Sequence, residues 1–350
     1  MILRLGPTLV VALLGGWIFV HINVPLPWLL GPVASVVVWS SLLGGKPYWP
    51  VGIRNAALLV LGYLMGRPFT LEAAHQVASQ FPAMALMTLL TVLFSLAMSY
   101  MTYRQTGISL ASCVIGGVPG GLAQMVLLGE EIPSADGTIV AFMQTIRVLA
   151  VVFSIPFLAI HGLAGGAPAG AAQAPVFSAL TPAAVLPFIL VVLVSAWLAI
   201  KVKLPTPHLL GPVLGTCLLV LNGLPAPLVP APIIIAAQVA MGAYIGKNIN
   251  LSSMESQWRT ILPYTLLNVA LVVLFSISLG WVLTLMIPAT LVTGFLSTAP
   301  GGVAEMGLTA MLVNADLSTV VAYQIFRVFF ILLVMPFMLK RWLCREVEGA

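Results

Sequence analysis

Long apolar runs separated by short polar connections make up most of this chain. They lie near residues 5–22, 27–44, 53–67, 81–103, 137–161, 181–200, 207–222, 231–247, 260–287 and 316–340. A spanning helix needs roughly 17 to 25 predominantly apolar residues, and most of these runs meet that length. The pattern therefore predicts an all-α integral membrane fold with about ten transmembrane helices.

Two further apolar segments, near residues 107–130 and 288–313, are interrupted by proline and glycine. They read GGVPGGLAQM from Gly116 to Met125 and STAPGGVAEM from Ser297 to Met306. Proline removes a backbone donor and glycine frees the backbone, so no continuous helix is expected through either segment. Inside a bilayer such breaks persist only where protein or a water-filled cavity surrounds them. We expect each segment to be a broken re-entrant pair of half-helices beside a binding centre.

The second half of the chain repeats the first at an offset of 180 or 181 residues. The motif PWLLGPV at Pro27 returns as PHLLGPV at Pro207. The other matched positions are Gly62 with Gly242, Gly66 with Gly246, Pro119 with Pro300, Asp136 with Asp316, Gln144 with Gln324 and Arg147 with Arg327. This duplication predicts a first membrane repeat over 1–161, an Ala/Gly/Pro-rich linker over 162–180, a second membrane repeat over 181–343 and a cytoplasmic tail over 344–350.

Charge predicts how the two repeats are oriented. Only 7% of the residues are charged and 61% are apolar, whereas soluble domains carry roughly 25% charged residues. The net charge of +5 is spread singly over the connections, so it indicates topology and not nucleic-acid binding. If the broken segments are re-entrant, eleven basic residues lie on the cytoplasmic side and only Arg67 lies on the opposite side. If the broken segments cross the membrane fully, the numbers become seven on the cytoplasmic side and five on the opposite side. The positive-inside rule thus favours inverted five-span repeats with both termini cytoplasmic.

Two arginines lie ten or more residues inside their predicted helices, where a charge costs from about 2.5 to above 10 kcal/mol. One hypothesis is that Arg147 and Arg327 attract an anionic substrate, assisted by the half-helix N-termini at the breaks. The alternative is that each arginine, with Gln144 or Gln324 one turn earlier, binds the carbonyl groups released by the neighbouring break. The sequence leaves both open. The aspartates that begin these helices are interpreted as N-caps.

The two broken segments differ at one position, which is Gln124 in the first and Glu305 in the second. A buried carboxylate could bind the proton or sodium ion that drives transport, whereas an amide cannot titrate. A structural pairing of Glu305 with an arginine is the alternative. The complete predicted substrate site is Pro119, Gly120, Gly121, Gln124, Gln144, Arg147, Pro300, Gly301, Gly302, Glu305, Gln324 and Arg327.

The duplicated PGGxA[QE]M segment, the D-x7-Q-x2-R-V pattern that follows it and the LLGP motif resemble the bacterial AbrB-type membrane protein family. The resemblance covers nearly the whole chain and implies a duplicated protein of the bacterial cytoplasmic (inner) membrane. Members of that family carry labels such as ammonia monooxygenase or regulator of gene expression. No part of the chain resembles a DNA-binding fold.

Three classes of function are compared with these observations. The first is secondary transport of a small anionic solute through a midplane site between the repeats, with the bilayer and the solute as partners and a homo-oligomer as a possible assembly. The second, implied by the family label, is an indirect regulator of gene expression without DNA binding. An enzyme is not expected, because four scattered histidines do not form a copper or iron site. We expect no cofactor and no metal.

Overall fold

The computed structural model describes residues 2–120, 125, 128, 129, 132, 134–164, 182–249 and 258–348, and every regular element in these ranges is a helix. The helices of the first half are α1 (Ile2–His21), α2 (Pro27–Ser41), α3 (Val51–Gly66), α4 (Leu71–Ser79), α5 (Phe81–Thr106), α6 (Leu110–Gly117) and α7 (Gly137–Phe157), which continues as a π-helix over Leu158–Leu163. Those of the second half are α8 (Pro182–Lys201), α9 (Pro207–Leu221), α10 (Ala231–Asn248), α11 (Trp258–Met286), α12 (Leu291–Thr298), α13 (Val303–Leu312) and α14 (Leu317–Glu348).

The predicted all-α fold is confirmed for the described residues, and it is compatible with a membrane protein. Within the part of the chain that the structure describes, four helices are long and apolar enough to cross a bilayer: α5, α7 with its π-helical end, α11 and α14. The predicted interruptions are also present, since α6 ends before Pro119 and α12 ends before Pro300. The number of spans and the sides that they face remain predictions.

The chain forms two compact units, and each unit contains helices from both sequence repeats. The first unit comprises residues 1–78, 160–253 and 307–318, and the second comprises residues 79–159, 254–306 and 319–350. Most of the predicted linker lies outside the described residues, since the described chain stops at residue 164 and resumes at residue 182. The repeat boundaries therefore remain sequence predictions.

Within the first unit, equivalent residues of the two repeats make exchanged contacts. Gly62 of α3 lies so close to α9 that an added Cβ would be 2.5 Å from the Leu209 carbonyl oxygen. Gly242 of α10 lies equally close to the Leu29 carbonyl oxygen of α2. Position 62 corresponds to 242 and position 29 corresponds to 209, so the two contacts interchange when the repeats are interchanged. This reciprocity is the signature of a local two-fold arrangement.

The same contacts give the direction of these helices. One turn beyond Gly62, Gly66 lies against the Val213 carbonyl oxygen, which is one turn beyond Leu209. Contacts that advance together along both chains mean that α3 and α9 run parallel. The equivalent helices α10 and α2 are parallel by the same criterion, because Gly246 lies against Val33.

Within the second unit, α5 and α11 meet at a pair of equivalent aromatic residues. The rings of Phe94 and Phe275 stack with their centroids 4.1 Å apart and their planes 11° apart. Thr106, near the end of α5, and Thr260, near the start of α11, line the same cavity. Residues that follow Phe94 thus approach residues that precede Phe275, so α5 and α11 run antiparallel.

Candidate functional site

Each helix break contains a tight turn centred on its proline. In the first copy the Gly120 N–H donates to the Val118 carbonyl oxygen at 2.7 Å. In the second, the Gly301 N–H donates to the Ala299 carbonyl oxygen at 2.9 Å. A hydrogen bond from residue i+2 back to residue i defines a γ-turn, and the fixed φ of proline suits the inverse form of this turn. The repeated proline therefore sets the same reversal of direction in both copies.

The glycine that follows each proline makes room for the methionine that ends the motif. A Cβ at Gly120 would lie 2.9 Å from the Met125 sulfur atom, and a Cβ at Gly301 would lie 2.9 Å from the Met306 sulfur atom. Both methionine side chains are fully buried. The spacing of glycine and methionine in PGGxA[QE]M is thus a packing requirement of the break.

In the first copy, Arg147 holds the backbone on both sides of the proline. Its Nη1 donates to the Val118 carbonyl oxygen at 2.6 Å, and its Nη2 donates to the Gly120 carbonyl oxygen at 2.9 Å. Gln144, one turn earlier on α7, donates from Nε2 to the carbonyl oxygens of Ile115 and Val118 at 2.8 and 3.0 Å. These carbonyls have lost their helical partners, so the two side chains replace the missing hydrogen bonds.

The second copy repeats this arrangement on α14. Arg327 donates from Nη1 to the Ala299 carbonyl oxygen and from Nη2 to the Gly301 carbonyl oxygen, the latter at 2.6 Å. Gln324 donates from Nε2 to the carbonyl oxygens of Leu296 and Ala299 at 2.6 and 3.1 Å. The predicted scaffold role of the arginines and glutamines is therefore seen in both repeats.

Among the described residues, two hydrogen bonds of Arg327 have no counterpart at Arg147, and the first runs from Nη1 to the Thr298 carbonyl oxygen at 3.3 Å. The Gln324 side-chain oxygen accepts a hydrogen bond from Arg327 Nη2. The Gln144 side-chain oxygen is buried and has no hydrogen-bond partner among the described residues. The second break is thus held by a closed arginine–glutamine pair, and the first has a buried acceptor left over.

Buried charge in the second unit is mainly positive. Arg147 is 8% exposed and Arg327 is 4% exposed. Glu305 is also buried, and its carboxylate folds back against Gly302 at the start of α13. These three are the buried charged side chains of the described residues. Among these buried side chains of the described residues, two cations and one carboxylate leave a net positive charge.

The two aspartates cap helices, as predicted. Asp136 accepts hydrogen bonds from the backbone N–H groups of Thr138 and Ile139 at 2.8 and 3.3 Å. Asp316 accepts from the Ser318 N–H at 3.1 Å. Both carboxylates are thus engaged at helix N-termini and are not part of the buried charge at the breaks.

Most predicted site residues lie in the second unit and gather around the breaks. Pro119, Gly120, Gln144 and Arg147 form the first cluster. The second cluster comprises Pro300, Gly301, Gly302, Glu305, Gln324 and Arg327. Gly121 and Gln124 lie outside the described residues.

The sequence interpretation missed a row of hydroxyl side chains on α5 and the buried Asn268 on α11. Thr91, Ser95, Ser99 and Thr102 are all buried on one face of α5. Their spacing of three or four residues in an otherwise apolar helix is a detectable signal of a polar face. Asn268 has no such periodic signal.

The described residues contain no group of three or more His, Cys, Asp or Glu side chains arranged to hold a metal ion.

Residues 28–343 match the family model described as "Transition state regulatory protein AbrB". The chain belongs to the AbrB family. This confirms the resemblance read from the repeated motifs.

Two relatives match this AbrB-family chain over most of its length. One is "Uncharacterized protein YhjN" of Bacillus subtilis (strain 168), 28% identical over 347 residues, which cover 92% of this chain and 88% of the relative. The other is "Putative regulator AbrB" of Escherichia coli (strain K12), 27% identical over 335 residues, which cover 96% and 95%.

Proposed function

We propose that this AbrB-family protein is a secondary transporter of a small anionic solute, with its binding site at the two helix breaks of the second unit. The observation that carries the proposal is the pair of buried arginines, one at each break, whose hydrogen bonds there go to neutral carbonyl oxygens. Keeping two like charges buried is costly, and a bound anion would offset this cost.

Helix directions support the inverted repeats that such a transporter would have. The helices α5 and α11 are equivalent in sequence and would point the same way in parallel repeats, but they run antiparallel. The third helix of one repeat, α3, runs parallel to the second helix of the other, α9. Inverted five-span repeats with re-entrant breaks have both properties, and they are the plan of many secondary transporters. We place this protein in the bacterial inner membrane with both termini cytoplasmic.

The scaffold role of the arginines is compatible with substrate binding. A guanidinium group has five N–H donors, and the hydrogen bonds among the described residues number two for Arg147 and four for Arg327, so each keeps at least one donor. The carbonyl oxygens that Arg147 and Arg327 hold are neutral, so the positive charge itself is not cancelled by a partner carboxylate at these bonds. The hydrogen bonds that stabilise the break would thus also hold the charged guanidinium group in position for an anion.

Glu305 is the proposed coupling residue. It is a buried carboxylate at the start of α13, next to the second break. A buried carboxylate can bind a proton or a sodium ion, and binding at Glu305 would couple that ion to the anion at the site. The equivalent residue in the first repeat is Gln124, which cannot titrate.

Flux in liposomes tests the proposal, with organic acids, amino acids and inorganic anions as candidate solutes. Arg147→Gln and Arg327→Gln keep hydrogen-bond donors and remove the charge, whereas the corresponding Lys variants keep the charge and lose the fork of donors. Anion transport predicts a loss of about tenfold or more in the Gln variants and a smaller loss in the Lys variants. Lys201→Ala, at an exposed helix end, is the matched control.

Absence of both flux and ligand-induced stabilisation across the whole panel would overturn the transport proposal. Equal losses in the Gln and Lys variants, in proportion to their loss of thermal stability, would mean that the arginines act only on the fold. Either result is measurable on purified protein.

Regulation of gene expression is the second candidate, and the printed name of the Escherichia coli relative favours it. We propose that any such effect is indirect and follows the level of the transported solute. A deletion strain would then recover its normal expression pattern with the wild-type protein and not with Arg327→Gln. Full recovery with the charge-free variant would separate regulation from this site.

A further inference from the structure

A continuous row of hydroxyl groups follows one face of α5. The hydroxyl row comprises Thr91, Ser95, Ser99, Thr102 and Thr106, and its first four members are buried. Each hydroxyl donates to the backbone carbonyl oxygen four residues earlier, at distances of 2.7 to 3.0 Å. Because the hydroxyl protons are used on the backbone, the oxygen lone pairs remain as acceptors. The row therefore offers a line of acceptors suited to water.

One end of the hydroxyl row opens into a polar cavity of about 520 Å³. Thr106 lines this cavity, and the other polar residues that line it are Ser109, Ser112, Ser134, Asp136 and Thr260. The Ser109 hydroxyl donates to the Ser112 hydroxyl oxygen at 2.8 Å, and the Asp136 N–H donates to the same oxygen at 2.7 Å. The cavity wall is thus an ordered polar surface, and the cavity is large enough to hold several water molecules.

The row also reaches the first helix break. Ser99 lies directly against Gly117, the last residue of α6, and the Asn268 side-chain nitrogen lies 3.3 Å from the position of a Cβ at Gly117. Asn268 is 6% exposed, and this nitrogen has no hydrogen-bond partner among the described residues. A buried N–H donor without a partner is unfavourable unless a ligand or water supplies the acceptor.

The second repeat lacks most of these polar residues. Positions of α11 that correspond to Thr91, Ser99, Thr102 and Thr106 are occupied by Val272, Gly280, Leu283 and Ile287. The position of α5 that corresponds to Asn268 is Met87. Ser95 alone has a hydroxyl copy in the second repeat, the buried Ser276. Most of the hydroxyl row and the amide of Asn268 thus belong to one repeat only, as expected of residues that act on a ligand.

We propose that the hydroxyl row is a water-lined access path from the polar cavity to the first break, and that Asn268 is the donor that meets a small hydrated anion at its inner end. The identity of the anion rests on the proposed function, whereas the water path does not. By the charge distribution of the chain, the cavity would open to the cytoplasm, because Arg104 and Arg259 border it in sequence.

Cysteine labelling tests the path without any knowledge of the solute. Thr106→Cys, Thr102→Cys and Ser99→Cys are made after the native cysteines have been replaced by alanine. A small cationic methanethiosulfonate reagent reacts with thiolates, which form in water and not in lipid. The matched controls are Leu89→Cys and Leu93→Cys, which lie on the exposed apolar face of the same helix.

The expected result is labelling of the three row positions at least tenfold faster than that of the two controls, and slower with depth from Thr106 to Ser99. Rates at Thr102→Cys and Thr106→Cys no faster than at Leu93→Cys would overturn the path. If Ser99→Cys does not fold, the labelling rates of Thr102→Cys and Thr106→Cys still test the path, because both residues belong to the hydroxyl row.

Thermal stabilisation by phosphate, sulfate, nitrate and acetate tests Asn268. Stabilisation of the wild type that falls at least tenfold in apparent affinity in Asn268→Leu, but not in Met87→Leu, would support the assignment. Equal affinity in Asn268→Leu would overturn it and leave the transport proposal intact. If no anion from this panel or the transport panel stabilises the wild type, the proposed function and the role of Asn268 both fail, and the labelling alone decides the path.

Discussion

Arg147 and Arg327 show how a membrane helix can be broken without leaving backbone groups unpaired. Each side chain replaces the hydrogen bonds that a proline removes, and a glutamine one turn earlier completes the set. Because a carbonyl group left unpaired in lipid costs several kcal/mol, the break depends on these two side chains. The arginine and glutamine of each repeat are therefore parts of one unit with the Pro-Gly-Gly motif.

The two glutamines differ in their hydrogen bonds, and this difference predicts that their alanine variants differ in stability. Gln324→Ala should destabilise the protein more than Gln144→Ala, because it also removes the hydrogen bond with Arg327. Hydrogen bonds to charged groups contribute about 1.5 to 3 kcal/mol, which sets the expected difference. Apparent melting temperatures of the two purified variants in one detergent would measure it. Equal shifts would mean that this contact adds nothing to stability.

At the scale of elements, paired glycines let the helices of the two repeats approach closely in the first unit. The GxxxG spacing of Gly62 with Gly66 and of Gly242 with Gly246 is the sequence sign of such an approach. The structure adds which helices meet, since α3 contacts α9 and α10 contacts α2. The sequence could indicate close packing here, but not the partner.

Alanine substitution can distinguish a glycine in close contact with another helix from a glycine of the same helix that has free space around it. Gly62→Ala should destabilise the protein by about 1 to 3 kcal/mol, because the added methyl group meets the Leu209 carbonyl oxygen and Pro212. Gly52→Ala is the control, because its methyl group would meet nothing within 4 Å. Since alanine favours a helix over glycine, this control should be neutral or slightly stabilising. A Gly62→Ala variant as stable as Gly52→Ala would contradict the close approach.

At the scale of the whole molecule, topology is the property on which the proposed mechanism depends. Leu42 and Asn222 occupy equivalent positions after α2 and α9 and are both exposed. Inverted repeats predict that Leu42→Cys is labelled only from the cytoplasm and Asn222→Cys only from the opposite side. Membrane-impermeant maleimide, applied to intact cells and to inverted vesicles, measures both. Labelling of the two cysteines from one side would show parallel repeats and remove the basis of the transport proposal.

The sequence by itself determined the helical membrane class, the duplication, the two breaks and the polar residues one turn apart beside them. These features depend on local chemistry, namely apolar length, the missing N–H of proline and the 3.6-residue period of a helix, and local chemistry can be read along a chain. Even the N-cap role of Asp136 was predictable, because it involves only neighbouring residues.

Only the tertiary structure decided which of these features come together. It assigned α1 to α3 and α8 to α10, with most of α4 and the end of α13, to one unit. It assigned both breaks, with Arg147 and Arg327, to the other unit. There it brought Ser99 and Asn268 to the same glycine. Such contacts join residues more than 150 positions apart in sequence, for example Ser99 and Asn268. They depend on how helices pack, which is set by shape and by the absence of clashes across the whole unit. No single stretch of sequence carries that information.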